Sequence, residues 1–237
     1  MSGSCEERRE ELRANLDRVQ GRIDAACRQA GRSPAEVTLT VVTKFFPASD
    51  VRLLAGLGVR HVGENRHQDA QAKSAACADL DLTWHFIGAL QSNKAAAVPA
   101  YAAVVESVDR AKLLPALSRG AHEADRRLDV LVQVSLEDVA AAGRAGAREG
   151  DVPGLVDEVA ATPGLRLRGL MAVAPLGQDP QPHFAKLAAL AAQVRDLHPE
   201  ATWLSAGMSG DLEAAVESGA THVRIGSAVL GARPAER

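Results

Sequence analysis

Lys44 closes the run Val37-Thr38-Leu39-Thr40-Val41-Val42-Thr43 and is followed by Phe45-Phe46-Pro47. A primary amine at the end of a buried strand is costly to desolvate, so it either reaches out to water or does chemistry. Two turns late in the chain add polar backbone: Leu204-Ser205-Ala206-Gly207-Met208-Ser209-Gly210-Asp211 and Val223-Arg224-Ile225-Gly226-Ser227. Gly207, Met208, Ser209 and Gly210 offer amides and a hydroxyl ahead of a helical pattern. A helix amino terminus with unpaired N–H groups receives anions. Gly226 permits close backbone approach, and Ser227 adds a second hydroxyl. Ordinary strand-to-helix turns explain these residues equally well, with Ser209 as a cap.

Lys44 shifts that balance. Burial and neighbouring cations lower an amine's pKa and make it nucleophilic toward an aldehyde. An aldehyde that also carries a phosphate is pyridoxal 5'-phosphate, held through its aldehyde by a lysine and through its phosphate by a separate cradle. Arg224, inside an apolar strand pattern, would keep a pyridine nitrogen unprotonated, or else pairs with a carboxylate in the wall. Asn65, after Gly63-Glu64, bonds a ligand oxygen or shapes a turn. His85, in Trp84-His85-Phe86-Ile87-Gly88, reads as a structural, hydrogen-bonded histidine.

These residues need elements to carry them. Strand-like runs over 37–43, 60–63, 83–87, 103–107, 128–134, 165–173, 202–205 and 221–225 alternate with helical patterns over 49–57, 66–78, 110–124, 154–161, 184–197 and 212–218. Such alternation implies parallel strands joined by crossover helices. It predicts an α/β fold: a single (β/α)8 TIM barrel, residues 37–233, with an extra N-terminal helix, residues 1–32. The whole chain, 1–237, then forms one cofactor-binding domain. The first helix shows an apolar stripe of Leu12, Leu16, Val19, Ile23 and Cys27. Ser4 and Glu7 suggest its capping box, and Gly31 a left-handed stop. In barrels of this kind the strands' carboxyl ends carry the site, and phosphates sit after the seventh and eighth. The Ala-, Gly- and Arg-rich stretch 137–150 reads as a mobile loop.

A length of 237 residues suits one such barrel, with 46% hydrophobic residues for its core. The net charge of −3 gives no reason to expect nucleic acid or an anionic membrane as partner. No apolar run approaches a membrane span, and the acidic start lacks a signal-peptide core. Three widely spaced cysteines, Cys5, Cys27 and Cys77, form no metal-ligand pattern and suggest a reducing cytoplasm.

The sequence resembles the pyridoxal phosphate homeostasis proteins, fold-type III barrels related to the N-terminal domain of alanine racemase. The resemblance covers nearly all the chain after the first helix. It rests on Val42-Thr43-Lys44, Gly63-Glu64-Asn65, Trp84 to Gly88, Leu90-Gln91-Ser92-Asn93-Lys94, Ser107-Val108-Asp109, Gly169-Leu170-Met171 and both late turns. It implies Lys44 as the Schiff-base lysine, phosphate held around Met208, Ser209, Gly226 and Ser227, and Arg224 facing the pyridine nitrogen. It further implies a role in vitamin B6 supply without robust catalysis, and apo enzymes that use the cofactor as possible partners. Phe45-Phe46, Ala89 and the arginines Arg144 and Arg148 depart from the family pattern. A racemase needs two bases on opposite faces of the cofactor. The only tyrosine, Tyr101, precedes the fourth strand, at the end away from the site, and the chain stops where the barrel closes. No catalytic residue is therefore assigned, and a monomer is expected. A weak racemase-like enzyme and a barrel holding a phosphorylated metabolite non-covalently remain alternatives.

Overall fold

In the computed structural model, which describes residues 2–137 and 145–232, the barrel closes as expected. Its strands are β1 (Thr38–Val42), β2 (His61–Glu64), β3 (Thr83–Phe86), β4 (Val104–Val108), β5 (Leu128–Val134), β6 (Leu165–Ala172), β7 (Trp203–Ser205) and β8 (His222–Ile225). All neighbours are parallel, and β8 returns to β1 with Thr38 opposite His222 and Val41 opposite Ile225. Helix α1 (Ser2–Gln29) precedes the barrel. Crossovers are made by α2 (Ala48–Gly56), α3 (His67–Ala76), α4 (Leu114–Glu123), α5 (Val152–Ala161), α6 (Pro180–Leu197) and α7 (Leu212–Glu217), and α8 (Ser227–Leu230) follows β8. Between β3 and β4, where the sequence holds no helical pattern, a 3-10 turn over Ala95–Ala100 contains Pro99.

Successive strand residues point to opposite faces. Outward-facing Val41, Val62, Trp84 and Val223 pack with Leu12, Ile23 and Leu54 of the helical layer. A second cluster joins Val105, Val130 and Leu170 to Phe184 and Leu187. The barrel's inside is different. Val104, Leu131 and Met171 form a small apolar group there. Thr40, His85, Glu106, Ser205, His222 and Arg224 are buried polar residues. Barrels usually fill this space with branched aliphatic side chains, so a polar filling must be compensated by hydrogen bonds.

The stripe of α1 buries Leu12, Val19, Ile23 and Cys27 as its spacing requires, against a layer that includes Val51, Leu212 and Val229. It covers the barrel's side, outside the β8–β1 seam. Gly31 takes φ +65 and stops the helix. The capping box expected at Ser4 and Glu7 does not start α1, because the helix begins at Ser2 and Ser4 lies within it; a capping box of Ser33 and Glu36 opens the separate 3-10 turn Pro34–Glu36. Of the loop expected over 137–150, residues 138–144, and Arg144 with them, lie outside the described residues. The return of that loop is bonded to β5, with Ala147 N donating to Gln133 O at 2.7 Å and accepting Ser135 N at 2.9 Å through its carbonyl. No described helix is long and apolar enough to cross a membrane.

Candidate functional site

A cleft of about 650 Å³ opens at the carboxyl ends of the strands, and Lys44, Asn65, Met208, Ser209, Arg224, Gly226 and Ser227 all border it. A larger depression of about 720 Å³ lies outside the barrel beside α4, among Ser118, His122 and Arg126, and contains none of them. The fold thus gathers all seven of these residues on one concavity.

Lys44 sits in a tight turn after β1, closed by Phe46 N donating to Thr43 O at 3.1 Å. Phe45 takes φ 73 at the position where such turns favour glycine, a strain of about 1–2 kcal/mol. Two things hold it. Phe46 is buried in the layer with Leu12 and Val51, and a buried charge network backs the turn. Thr43 Oγ1 donates to Glu64 Oε1 at 2.7 Å, while Lys73 Nζ donates to the same oxygen at 2.6 Å and to Thr43 O at 2.8 Å. Glu64 is 1% exposed, and Lys73 is the cation paired with it. The cations of Lys44 and Arg66 lie 5.9 and 5.7 Å from the Phe45 ring centroid.

Arg224 enters from β8. Its Nη1 donates to Ser205 Oγ at 2.6 Å and its Nη2 to Ala172 O at 2.8 Å. Ser205 Oγ in turn donates to Glu106 Oε2 at 2.5 Å. Glu106 Oε1 meets His85 Nδ1 at 2.7 Å, and His85 Nε2 meets His61 Nδ1 at 3.0 Å. Because β4 and β7 are not neighbours, the Ser205–Glu106 bond crosses the barrel's inside. Burial opposes the Glu106 charge, but the hydrogen bond and charge of His85, the Arg224 guanidinium and the Ser205 hydroxyl outweigh it and hold the carboxyl at about 2. Burial also pulls the Arg224 guanidinium down from its ordinary value, against Glu106 and Asp211. A guanidinium starts so high that it stays cationic. The two readings of Arg224, ligand contact and wall ion pair, thus hold together: it borders the cleft and stands 3.8 Å from Glu106. His85 is buried, with one ring nitrogen against Glu106 and the other against His61.

The late turns converge on the other flank. Ser227 Oγ donates to Ser209 Oγ at 3.3 Å, and Ala228 N donates to Ser209 Oγ at 3.2 Å. Asp211 Oδ1 accepts Met208 N at 2.5 Å and fixes that turn. Asn65 supplies the missing acceptor. Its Oδ1 is buried and has no hydrogen-bond partner, although it belongs to a residue on the cleft wall. An orphaned buried oxygen in a concavity is a place for a ligand donor.

Glu106 and Ser205 escaped the sequence reading. The signal was present: Glu106 interrupts Val104-Val105-Glu106-Ser107-Val108 just as Lys44 ends an apolar run. Tyr101 precedes β4, as the sequence places it; its hydroxyl is 3.2 Å from His67 Nδ1, at the start of α3, and it does not border the cleft. Burial and the Glu64 charge push its phenol up.

Comparisons with known proteins bear on the family and the fold. Residues 10–234 match the alanine racemase N-terminal domain family. The chain is 42% identical over 247 residues to the pyridoxal phosphate homeostasis protein of Mycobacterium tuberculosis H37Rv, covering 96% of this chain and 95% of that one. PipY of Synechococcus elongatus PCC7942, solved with PLP bound, superposes with a TM-score of 0.80 at 34% identity over 93% of this chain and 100% of its own. Alanine racemase from Corynebacterium glutamicum shares the fold alone, with a TM-score of 0.63 at 16% identity over 90% of this chain and 60% of that one.

Proposed function

The chain belongs to the pyridoxal phosphate homeostasis family, and from that premise we propose that it binds pyridoxal 5'-phosphate in the cleft and serves the cell's supply of that cofactor as one binding domain, without robust turnover. The observation that carries the reading is the convergence of the Lys44 amine, the Arg224 guanidinium and the orphaned Asn65 oxygen on one concavity. Those residues fit the group. An amine matches the aldehyde, a cation the ring nitrogen, and two hydroxyls with a backbone amide the phosphate.

Bound there, the cofactor supplies an electrophilic aldehyde on an electron-accepting ring. Lys44 supplies the amine that holds it covalently. Ser209 and Ser227 bind the phosphate oxygens, and the turns of Met208 and Gly226 place backbone close to them. Arg224, always cationic, donates toward the ring nitrogen and keeps protons off it, which weakens the ring as an electron acceptor. Among the described residues on the cleft wall there is neither a histidine nor a tyrosine to act as a second base. Holding the cofactor thus fits better than racemising an amino acid. No membrane attachment is needed for such a role, and apo enzymes that need the cofactor are its natural recipients in a cytoplasmic setting.

The test is an absorbance spectrum of the purified protein with the cofactor, before and after borohydride, with peptide mapping of the fixed adduct. Label on Lys44, and its loss in Lys44→Ala with some affinity retained through the phosphate, is the expected result. Label scattered over surface lysines would favour non-covalent binding of a phosphorylated metabolite. Loss of deuterium from an α-deuterated amino acid at enzymatic rates would instead favour a racemase-like activity.

A further inference from the structure

We propose that Glu106 is a positioning residue of this site: acting through Ser205, it holds the Arg224 guanidinium in the orientation that presents it to the ring nitrogen of the bound cofactor. The inference rests on the cofactor reading above and goes one layer deeper into the barrel.

The geometry leaves Arg224 few alternatives. Its Nη1 is tied to Ser205 Oγ and its Nη2 to Ala172 O. A hydroxyl has one proton, and Ser205 gives that proton to Glu106. With that proton committed to the carboxylate, the hydroxyl turns its lone pairs to Arg224, which can only donate. Glu106 is 1% exposed and has no water as a substitute partner, while Arg224, at 4%, shows only a small edge to the cleft. At 3.8 Å the two charges also compensate each other inside the barrel. On its other side Glu106 is anchored by His85, and His85 by His61, so the carboxylate cannot follow Arg224 if the arginine swings away. A guanidinium steered this way can read a lone pair on the ring. Without the carboxylate, Ser205 can turn its proton toward Arg224 and push the guanidinium out of place.

The experiment compares two ligands on the full chain: pyridoxal 5'-phosphate and its 1-deaza analogue, in which a C–H replaces the ring nitrogen. Dissociation constants are measured for the wild type, Glu106→Gln and Ser205→Ala, with thermal unfolding as a check on folding. The wild type is expected to prefer the nitrogen-containing ligand. Both variants should lose about tenfold of that preference, while binding of the deaza analogue changes less than about twofold. Equal weakening of both ligands would make Glu106 merely structural and overturn the proposal. So would an unchanged preference, or no preference in the wild type. If Glu106→Gln fails to fold, Ser205→Ala, which leaves the His85–Glu106 pair in place, decides the question alone. Failure of the site reading is separately visible, because the wild type would then show no borohydride-fixed adduct on Lys44.

Discussion

At the amino end of the barrel, His222 stacks on Trp203 with ring centroids 4.3 Å apart and the Arg168 guanidinium covers the same indole at 4.3 Å, whereas at the carboxyl end Lys44, Asn65 and Arg224 border a cleft of about 650 Å³. Both ends are polar. Amino-end groups face mostly one another: Arg166 bonds Asp129, Arg168 stands 3.9 Å from the same carboxylate, and His61 leans on His85. At the carboxyl end Asn65 Oδ1, on the cleft wall, is left without a hydrogen-bond partner. What marks a site, then, is polarity facing space, because polarity facing polarity is only a way to fill a barrel.

Two glycines put that contrast under strain. A Cβ on Gly169 would lie 1.9 Å from Trp203 O, and φ there is +146; a Cβ on Gly88 would lie 2.1 Å from Asn65 O. Gly169 sits within β6, paired to β7 at Trp203, beside the register shift that turns Arg168 onto the indole. Nothing there can yield without breaking the sheet. Gly169→Ala is expected to cost about 4 kcal/mol or more in urea unfolding. Gly88→Ala presses on a residue just past the end of β2, where the chain can shift. It should cost about 2 kcal/mol of stability and raise the cofactor's dissociation constant about tenfold by displacing Asn65. If Gly88→Ala left affinity intact, Asn65 would lose its place in the site and the contrast its basis.

The same contrast explains what could be read from sequence. Lys44, Asn65, Ser209 and Ser227 lie in turns after strands, where alternation alone locates the barrel's mouth. Arg224 followed from its charge inside an apolar run, and Glu106 would have followed by the same rule. Lys73 behind Glu64 could not, because its role depends on how α3 docks against β1, a contact between residues 30 positions apart. Nor could the stacking of Trp203 between Arg168 and His222, since it depends on a register shift in β6 that leaves no mark in spacing. The Ser4–Glu7 box misled because a good local pattern competed with a helix that starts at Ser2.

Acid should separate the two ends next. Burial, with the nearby His85, holds the His61 imidazole at about 4, against the pull of Glu106. Burial likewise holds His222 at about 3, with His85, His61 and Arg168 adding to it and Glu106 opposing. An imidazole whose folded pKa lies below its unfolded value binds fewer protons in the folded state. Stability therefore falls as pH drops from about 6.5 toward 4. Glu106, held at about 2, acts in the same direction over a lower window, between about 4.5 and 2. For His222 the loss by about pH 4 should be on the order of 2–3 kcal/mol. His222→Gln is expected to flatten that part of the urea-midpoint profile while leaving cofactor loading at neutral pH unchanged. An equally steep profile in the variant would place the acid sensitivity elsewhere.

The smallest expected effect concerns how the cleft's phosphate flank is held. The amino-end stack supports itself, but α8 is only four residues long and begins at Ser227. Such a short helix needs outside support for its last carbonyls. Helix α1 provides it: Asn15 Nδ2 donates to Val229 O at 2.8 Å, and Arg8 Nη2 donates to Leu230 O at 3.0 Å while also pairing with Asp50 at 2.7 Å. Asn15 is 7% exposed, so Asn15→Ala leaves Val229 O without its buried donor and should cost about 1 kcal/mol. The looser α8 should then present Ser227 and the Ala228 amide less steadily. The dissociation constant for pyridoxal 5'-phosphate is expected to rise about threefold, and that for pyridoxal, which lacks the phosphate, to stay the same. Parallel losses for both ligands would mean that α1 steadies the barrel as a whole, and the phosphate flank would then be as self-supporting as the stack at the other end.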